Sequence, residues 1–361
     1  MLGGFLGAGK TTAMLAFARL LRERGRKVGA ITNDQSVGLV DTQMLQAGGH
    51  QTEEIAGGCF CCKFNSLLEA AERLTSETQP DVLIAEPVGS CTDLRATVSE
   101  PLRQIYGDRV LVAPLSVVVD PVRAQGILGL RPGKQFTRKV NYIYEKQLEE
   151  ADLIVINKID LLSESDREAL RAAFEDRWPE KLVFEVGVRS GAGVGKWLDF
   201  VLSNDMKSCP AVDVDYDEYA EGEALLGWLN VSGTLEGEEF DGNRWLLETA
   251  QLLHQNLLQA LGEVEIAHLK MTLIPQPGND LGVVNLVHSS SQAEMAYRLF
   301  EPLERGALTI NLRAEADPER LQEVVRDSLK EAARSFRMQW NVDQIQAFRP
   351  GRPVPVHRLG G

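Results

Sequence analysis

Short apolar runs alternate with amphipathic stretches over residues 1–205. Several of these runs are apolar at every position, as expected of strands that are covered on both faces of a sheet. The stretches between them have helical periodicity, and Ser163 is placed to cap one of them. This alternation predicts an α/β fold with a doubly wound, mostly parallel sheet. The predicted strands are 28–32, 82–85, 116–120, 154–157 and 182–186, and the predicted helices are 67–74, 148–151 and 163–178.

The pattern changes near Cys209 and Pro210, where six acidic side chains over residues 213–223 indicate a solvated linker or the entry to a strand. Period-two alternation at 267–273, similar runs at 225–231, 283–287 and 308–312, and helices at 244–261 and after Asp317 then predict a smaller α+β, ferredoxin-like domain. The predicted organisation is therefore a first domain at 1–205, an acidic linker at 206–222, an α+β domain at 223–348 and a flexible tail at 349–361.

Composition narrows the class of protein. The chain has 361 residues, a formal charge of −14 and 44% hydrophobic residues, as in an ordinary globular protein. The acidic balance argues against a nucleic-acid partner. No apolar run approaches the ~20 residues of a membrane span, and no secretory leader is recognisable, which predicts a cytoplasmic protein without a membrane partner. Five cysteines, three of them crowded together, indicate a metal or redox site.

The first dozen residues, MLGGFLGAGKTT, carry a phosphate-binding loop. Gly4, Gly9, Lys10 and Thr11 fit GxxxxGK followed by Ser or Thr, in which backbone amides and the lysine hold phosphates and the hydroxyl binds Mg²⁺. The residues expected to bind the nucleotide here are Gly7, Ala8, Gly9, Lys10, Thr11 and Thr12. A strand of ~5 residues normally precedes such a loop, and residues 1–3 are few for one. We therefore expect that the sequence lacks its natural start.

The base is predicted from the sequence NKID. Asn157, Lys158 and Asp160 follow an apolar run, and the carboxylate of Asp160 can accept hydrogen bonds from both N1–H and the exocyclic amine of guanine. Adenine offers no matching pair of donors. The predicted nucleotide is therefore GTP, or GDP after hydrolysis, rather than ATP.

Two further segments are expected to sense the γ-phosphate. Glu86 ends an apolar strand within DVLIAEPVG, where it could hold the Mg²⁺ shell or orient water, or be a plain solvent-facing acid. Gly89 would then lie close to the γ-phosphate. In NDQSVGLVD, residues 33–41, Asp34 and Asp41 are candidate magnesium-side acids.

Cys59, Cys61 and Cys62 follow two glycines that allow the backbone to turn, so that the three thiolates can converge. Soft thiolates favour Zn²⁺ or another thiophilic ion, and Glu54 could reach the same ion. Buried structural cysteines and a redox pair are the alternatives. Cys91 and Cys209 are interpreted as ordinary cysteines. The five histidines share no metal-ligand spacing.

Taken in order, GGFLGAGKTT, GGCFCCKF, EPVG and NKID resemble the CobW-type P-loop GTPases, relatives of the urease and hydrogenase nickel-insertion GTPases. The resemblance covers residues 1–205 and implies a GTP- and Mg²⁺-dependent metallochaperone that delivers a metal to a client protein. By position it assigns nucleotide roles to Lys10, Thr11, Asn157, Lys158 and Asp160, the metal-side acid to Glu86, and the transition-metal site to the three cysteines with Glu54. At the late guanine-contacting loop the chain has Gly187, Val188 and Arg189, so contacts there, including that of Val188, would come from the backbone.

The sequence thus predicts a slow GTPase in which Lys10 neutralises phosphate charge and Glu86 helps to place water. Because the cysteines lie between the two γ-phosphate-sensing segments, we expect metal and nucleotide to alter each other's affinity. The alternatives are a GTP-dependent assembly factor for a cofactor such as a corrinoid, and a passive metal-binding module. The client, whether a metalloprotein or a cofactor-assembly protein, and the formation of a homodimer are left open.

Overall fold

A computed structural model describes residues 1–35, 40–132, 135–205 and 211–359. The chain divides into two compact units. Met1–Val37, Gly48–Gly222 and Arg352–Gly361 form the first, and Gly38–Ala47 and Glu223–Gly351 form the second. The domain limits predicted from the sequence stay predictions, and Cys209 lies outside the described residues.

Among the described residues of the first unit, seven parallel strands form the sheet region. Their hydrogen-bonded orders are β3-β2-β4 and β1-β5-β6-β7, and β1 contacts β4. The two central strands β5 and β6 are buried at every position, as their apolar sequences SVVV and LIVI require. The strands are β1 (Leu2–Gly3), β2 (Val28–Asn33), β3 (Gln51–Ile55), β4 (Val82–Glu86), β5 (Ser116–Val119), β6 (Leu153–Ile156) and β7 (Leu182–Glu185).

Helices follow most of these strands. Ser163 caps one of them as predicted, because its hydroxyl accepts the amide proton of Asp166 at 3.2 Å. The acidic stretch after residue 213 forms a helix, in which Tyr219 is fully buried. The helices are α1 (Lys10–Glu23), α2 (Val40–Ala47), α3 (Phe64–Thr78), α4 (Glu100–Tyr106), α5 (Pro121–Ile127), α6 (Arg138–Glu150), α7 (Glu164–Arg177), α8 (Val194–Ser203) and α9 (Tyr216–Leu225).

The described residues of the second unit form an antiparallel sheet, two long helices that alternate with its strands, and α2. Its strand order is β11-β10-β9-β12-β8-β13, and four of these strands follow the order of a βαββαβ ferredoxin-like unit, with β10 and β11 as an extension. The elements are β8 (Gly227–Phe240), α10 (Gly242–Leu261), β9 (Ile266–Pro275), β10 (Gly282–Leu286), β11 (Glu294–Tyr297), β12 (Leu303–Ala314), α11 (Pro318–Ser335) and β13 (Gln339–Phe348). The predicted fold class is confirmed.

Carboxylates cap the N-termini of α10 and α11 in the second unit. Asp241 accepts two backbone amide protons at the start of α10, and Asp317 does the same for α11. Leucine, isoleucine and tryptophan side chains of the helices and the sheet form one buried core. Across the described ranges of both units, no helix combines the length and the apolar character that a bilayer crossing requires.

Candidate nucleotide and metal sites

The phosphate loop needs glycine at two positions. A Cβ atom on Gly4, which has φ 127°, would lie 2.1 Å from the carbonyl oxygen of Val118 on β5. One on Gly9, with φ 97°, would lie 2.5 Å from Nδ2 of Asn157. Both residues therefore combine a left-handed backbone with close approach to a neighbouring chain segment. The loop packs directly against the sheet, and Lys10 and Thr11 lie in the first turn of α1 that follows it.

Lys10, Thr11 and Glu86 meet at the end of β4. The Thr11 hydroxyl donates to Oε1 of Glu86 at 3.1 Å, and the same oxygen lies 4.0 Å from the Lys10 ammonium. A Cβ atom on Gly89 would lie 3.0 Å from Nζ of Lys10. All three polar side chains are buried. A hydroxyl and a carboxylate oxygen at this spacing are hard ligands that fit Mg²⁺, beside a lysine that fits phosphate.

The NKID residues hold the phosphate loop from its other side. Asn157 donates from Nδ2 to the carbonyl of Ala8 at 3.0 Å, and Lys158 donates from Nζ to that of Gly7 at 2.8 Å. The amide of Val188 donates to Oδ1 of Asn157 at 3.2 Å. Asp160 follows in a short 3-10 turn and is exposed, with its carboxylate open to a ligand. The structure thus brings together the phosphate loop, NKID and Val188.

Asp120 was missed by the sequence reasoning. Its carboxylate accepts a hydrogen bond from Nζ of Lys158 at 2.7 Å and caps α5 through the amide of Arg123 at 3.0 Å. This buried acid fixes the lysine that holds the loop. The signal was available, since Asp120 directly follows a strand of apolar residues and precedes Pro121.

The three cysteines converge at a tight turn between β3 and α3. The amides of Cys62 and Lys63 both donate to the carbonyl of Cys59, at 3.0 and 2.9 Å. Asn33 at the end of β2 donates from Nδ2 to the carbonyls of Ile55 and Gly58, at 3.0 and 2.7 Å. These two bonds hold the chain between the end of β3 and the first cysteine in place. The backbone reversal that the glycines were expected to allow is present.

The spacing of the thiols suits a thiophilic ion. The Cys59 and Cys62 sulfurs are 3.2 Å apart, those of Cys61 and Cys62 are 3.7 Å apart, and all three lie within 4.8 Å of one another. A tetrahedral zinc site with Zn–S bonds of about 2.3 Å separates its sulfurs by about 3.8 Å. All three cysteines are free thiols. The donor set therefore fits Zn²⁺ with small adjustments.

The three thiols differ in acidity because they share hydrogen bonds. Hydrogen bonds with the Cys61 and Cys62 thiols hold the pKa of Cys59 well below its ordinary value. The same bonding to Cys59 raises the pKa of Cys61 strongly and that of Cys62 to about 11. Cys59 is therefore the thiol that loses its proton most readily, and the other two thiols would ionise when a metal displaces their protons.

The remaining predicted site residues are Glu54, Asp41 and Thr12, whose roles stay predictions. Glu54 is on β3 and is not in the group of ligand atoms within 4.8 Å, which among the described residues contains the three cysteines. Asp41 is on α2 in the second unit and binds Lys270. Thr12 is half-buried in α1. Cys91, interpreted as ordinary, is a hydrogen-bond partner of Cys59.

Residues 352–359, which we call the C-terminal segment, reach the cysteine turn. The amide of Val354 donates to Sγ of Cys62 at 3.2 Å, and the amide of Val356 donates to the carbonyl of Cys61 at 2.9 Å. Flexibility of residues 349–361 stays a prediction, but the proximity of this segment to the cysteines was missed. A sequence separation of 292 residues leaves no local signal for it.

A sequence profile described as the CobW/HypB/UreG nucleotide-binding domain matches residues 1–185. A zinc chaperone CobW from Sinorhizobium sp is 26% identical over 254 residues, covering 62% of this chain and 71% of the relative. A second zinc chaperone CobW, from Pseudomonas aeruginosa, is 26% identical over 189 residues, covering 46% of this chain and about half, 49%, of the relative.

Two solved structures are similar at lower identity. The hydrogenase maturation factor HypB from Archaeoglobus fulgidus is 21% identical with a TM-score of 0.40, covering 56% of this chain and 87% of that one. The Zn(II)-bound YjiA GTPase from E. coli is 16% identical with a TM-score of 0.33, covering 90% and 96%.

Proposed function

Because the chain belongs to the CobW/HypB/UreG family of P-loop GTPases, we propose that it is a GTP-hydrolysing metallochaperone whose cargo, Zn²⁺, binds to Cys59, Cys61 and Cys62. The observation that carries the proposal is the convergence of three free thiols within 4.8 Å of one another. The names of the curated relatives support zinc as the cargo. The metal would pass from this site to a client protein, with the second unit as the surface that contacts the recipient.

In the proposed hydrolysis, the residues of the first unit bind and orient the nucleotide. Lys10 would leave its bond with the carbonyl of Phe5, now 3.3 Å long, and pair with the phosphates. Glu86 would orient the attacking water, and Thr11 would turn its hydroxyl from Glu86 to the metal side of the phosphates. Mg²⁺, when bound, would neutralise charge on the phosphate oxygens. Asp160 would select guanine, and a slow intrinsic rate is expected.

Zinc binding with and without nucleotide tests the proposal. The chain would be prepared reduced and titrated with Zn²⁺ against a chromophoric chelator, first with GDP and then with a non-hydrolysable GTP analogue. We expect one equivalent of tightly bound zinc and different affinities in the two nucleotide states, because linkage requires each ligand to affect the other equally. Equal affinities would contradict the coupling.

Two variants separate the metal function from the nucleotide function. Cys62→Ser should lose tight zinc binding and retain GTP binding, whereas Lys10→Ala should lose GTP hydrolysis and retain zinc. A hydrolysis rate that Lys10→Ala leaves unchanged would favour a passive metal-binding module instead. Zinc binding that survives replacement of all three cysteines by serine would contradict the assignment of the site.

A further inference from the structure

The C-terminal segment is held to the cysteine turn by its backbone. Val354 donates to a thiol sulfur and Val356 to a carbonyl of the turn, while their side chains are 69% and 46% exposed. The ring of His357 packs edge-on against Phe64, the first residue of α3, with centroids 4.9 Å apart. Because both valine side chains are exposed, Val354 and Val356 are held to the turn by their backbone amides rather than by their side chains.

Arg358 fastens the far end of the segment. Its Nε donates to Oδ2 of Asp93 at 2.7 Å, and its Nη2 donates to the carbonyl of Val212 at 2.9 Å. The Asp93 side chain is 2% exposed and also accepts a hydrogen bond from the Tyr216 hydroxyl at 2.7 Å. The next amide, that of Leu359, donates to the carbonyl of Ala96 at 2.9 Å. A buried carboxylate with these donors is a specific anchor, since an arginine removed from it would leave the charge poorly compensated.

Asp93, the anchor for Arg358, belongs to residues 89–93, a stretch that begins beside the Lys10 ammonium. Gly89 lies beside the Lys10 ammonium, Cys91 is hydrogen-bonded to Cys59, and Asp93 holds Arg358. These three residues alternate along five positions of sequence. One short stretch therefore contacts the phosphate-loop lysine, the cysteine cluster and the C-terminal segment.

We propose that the C-terminal segment is part of the metal site, in which the Val354 amide stabilises the Cys62 thiolate and Arg358 is the positioning residue that keeps the segment in place. The proposal rests on zinc being the cargo of the three cysteines. An N–H donor on a thiolate ligand lowers the free energy of the metal-bound state, and such outer contacts commonly change metal affinity 10- to 100-fold.

Val354→Pro and Val354→Ala form a matched pair that isolates the amide. Residue 354 lies between Pro353 and Pro355, and its exposed side chain contributes little packing. Proline removes the N–H donor, whereas alanine retains it. We expect Val354→Pro to release zinc to a competing chelator about tenfold faster than the unmodified chain, and Val354→Ala to stay within about twofold. With Co²⁺ in place of zinc, the thiolate-to-metal absorption band should shift in Val354→Pro and stay unchanged in Val354→Ala.

Variants of Arg358 test the anchor separately. Arg358→Ala should also accelerate zinc release about tenfold. Arg358→Lys should restore part of the slow release, because lysine keeps a positive charge beside the Asp93 carboxylate. Arg352→Ala is the control, since Arg352 pairs with Asp217 at an exposed site and should leave release within about twofold. Circular dichroism and GTP binding would verify that each variant is folded.

Two outcomes would overturn the proposal in distinguishable ways. If the unmodified chain binds zinc through its cysteines but Val354→Pro and Arg358→Ala release it at unchanged rates, the role of the C-terminal segment is wrong and the proposed function stands. If the unmodified chain retains no zinc, both proposals fall together.

Discussion

The carboxylate of Asp41 accepts a hydrogen bond from the ammonium group of Lys270 at 2.5 Å, with side chains only 19% and 17% exposed. Beside this pair, Gln43 bonds to the hydroxyls of Thr272 and Thr309, at 2.7 and 3.2 Å. These contacts fix α2 on strands β9 and β12 within the second unit. The magnesium role that the sequence favoured for Asp41 stays a prediction, and its partner in the structure is a lysine.

Lys270→Met should lower the free energy of unfolding by about 2 kcal/mol, because it leaves a largely buried carboxylate without its cation. Asp41→Asn in the Lys270→Met background should restore more than half of the loss, since the uncompensated charge is then gone. Urea denaturation of the single and double variants measures both effects. Lys330→Met is the control: Lys330 pairs with Asp327 at an exposed site, and its loss should change stability by less than about 0.5 kcal/mol. Equal losses at Lys270 and Lys330 would contradict this account.

Asp160→Asn should exchange guanine specificity for xanthine specificity. Asparagine can accept the N1–H of xanthine and donate to its 2-oxo group, whereas guanine presents a donor where the asparagine amide is also a donor. We expect GTP affinity to fall about 100-fold, as for the loss of two hydrogen bonds to a charged group, and xanthosine triphosphate affinity to rise. Competition against a fluorescent GTP analogue measures both. Asp199→Asn, at an exposed carboxylate on α8, should leave both affinities unchanged.

The sequence predicted those strands whose apolar residues are continuous. The runs that became β5 and β6 lie within one residue of their predicted limits, because burial on both faces imposes an apolar residue at every position. The strand β3 was not predicted. Its sequence QTEEI is mostly polar, and it is extended because its backbone pairs in parallel with β2. That pairing is a tertiary contact, which a local pattern does not carry.

The nucleotide site was more predictable than the surroundings of the metal site. Lys10, Asn157 and Lys158 belong to motifs in which spacing reflects direct contact with a phosphate or a base. Asn33, in contrast, fixes the turn before the cysteines through two carbonyls at the end of an adjacent strand. Arg358 and Asp93 are 265 residues apart. Contacts of this kind depend on the folded chain, so a motif search finds the ligands and misses the residues that hold them.

Zinc binding should release two protons at neutral pH. Hydrogen bonding lowers the pKa of Cys59, so we expect this thiol to lose its proton before the metal binds, whereas the raised pKa values of Cys61 and Cys62 keep both of those thiols protonated until it does. We therefore expect the dissociation constant for zinc to fall about 100-fold for each pH unit of increase between pH 6 and 8. Calorimetry in two buffers that differ in ionisation enthalpy counts the protons. A count of one would show that a second thiol is already ionised before the metal binds.

Glu150 should make the fold less stable as pH rises from about 5 to 8. Burial raises the pKa of its carboxyl from 4.5 to about 8, with the charge of Asp93 adding to the effect. Between these values the folded chain holds a proton that the unfolded chain has lost, so raising the pH favours unfolding by up to about 1.4 kcal/mol per unit, with no further effect above pH 8. Glu150→Gln keeps an acceptor for the Arg95 amide, now 3.0 Å away, and does not titrate. Urea denaturation at pH 5, 6, 7 and 8 should therefore show the variant gaining stability relative to the unmodified chain at each step. The control is Glu175→Gln, on the exposed face of α7, whose free energy of unfolding should change with pH as that of the unmodified chain does. If Glu150→Gln behaves in the same way as this control, the buried carboxylate is ionised throughout this range.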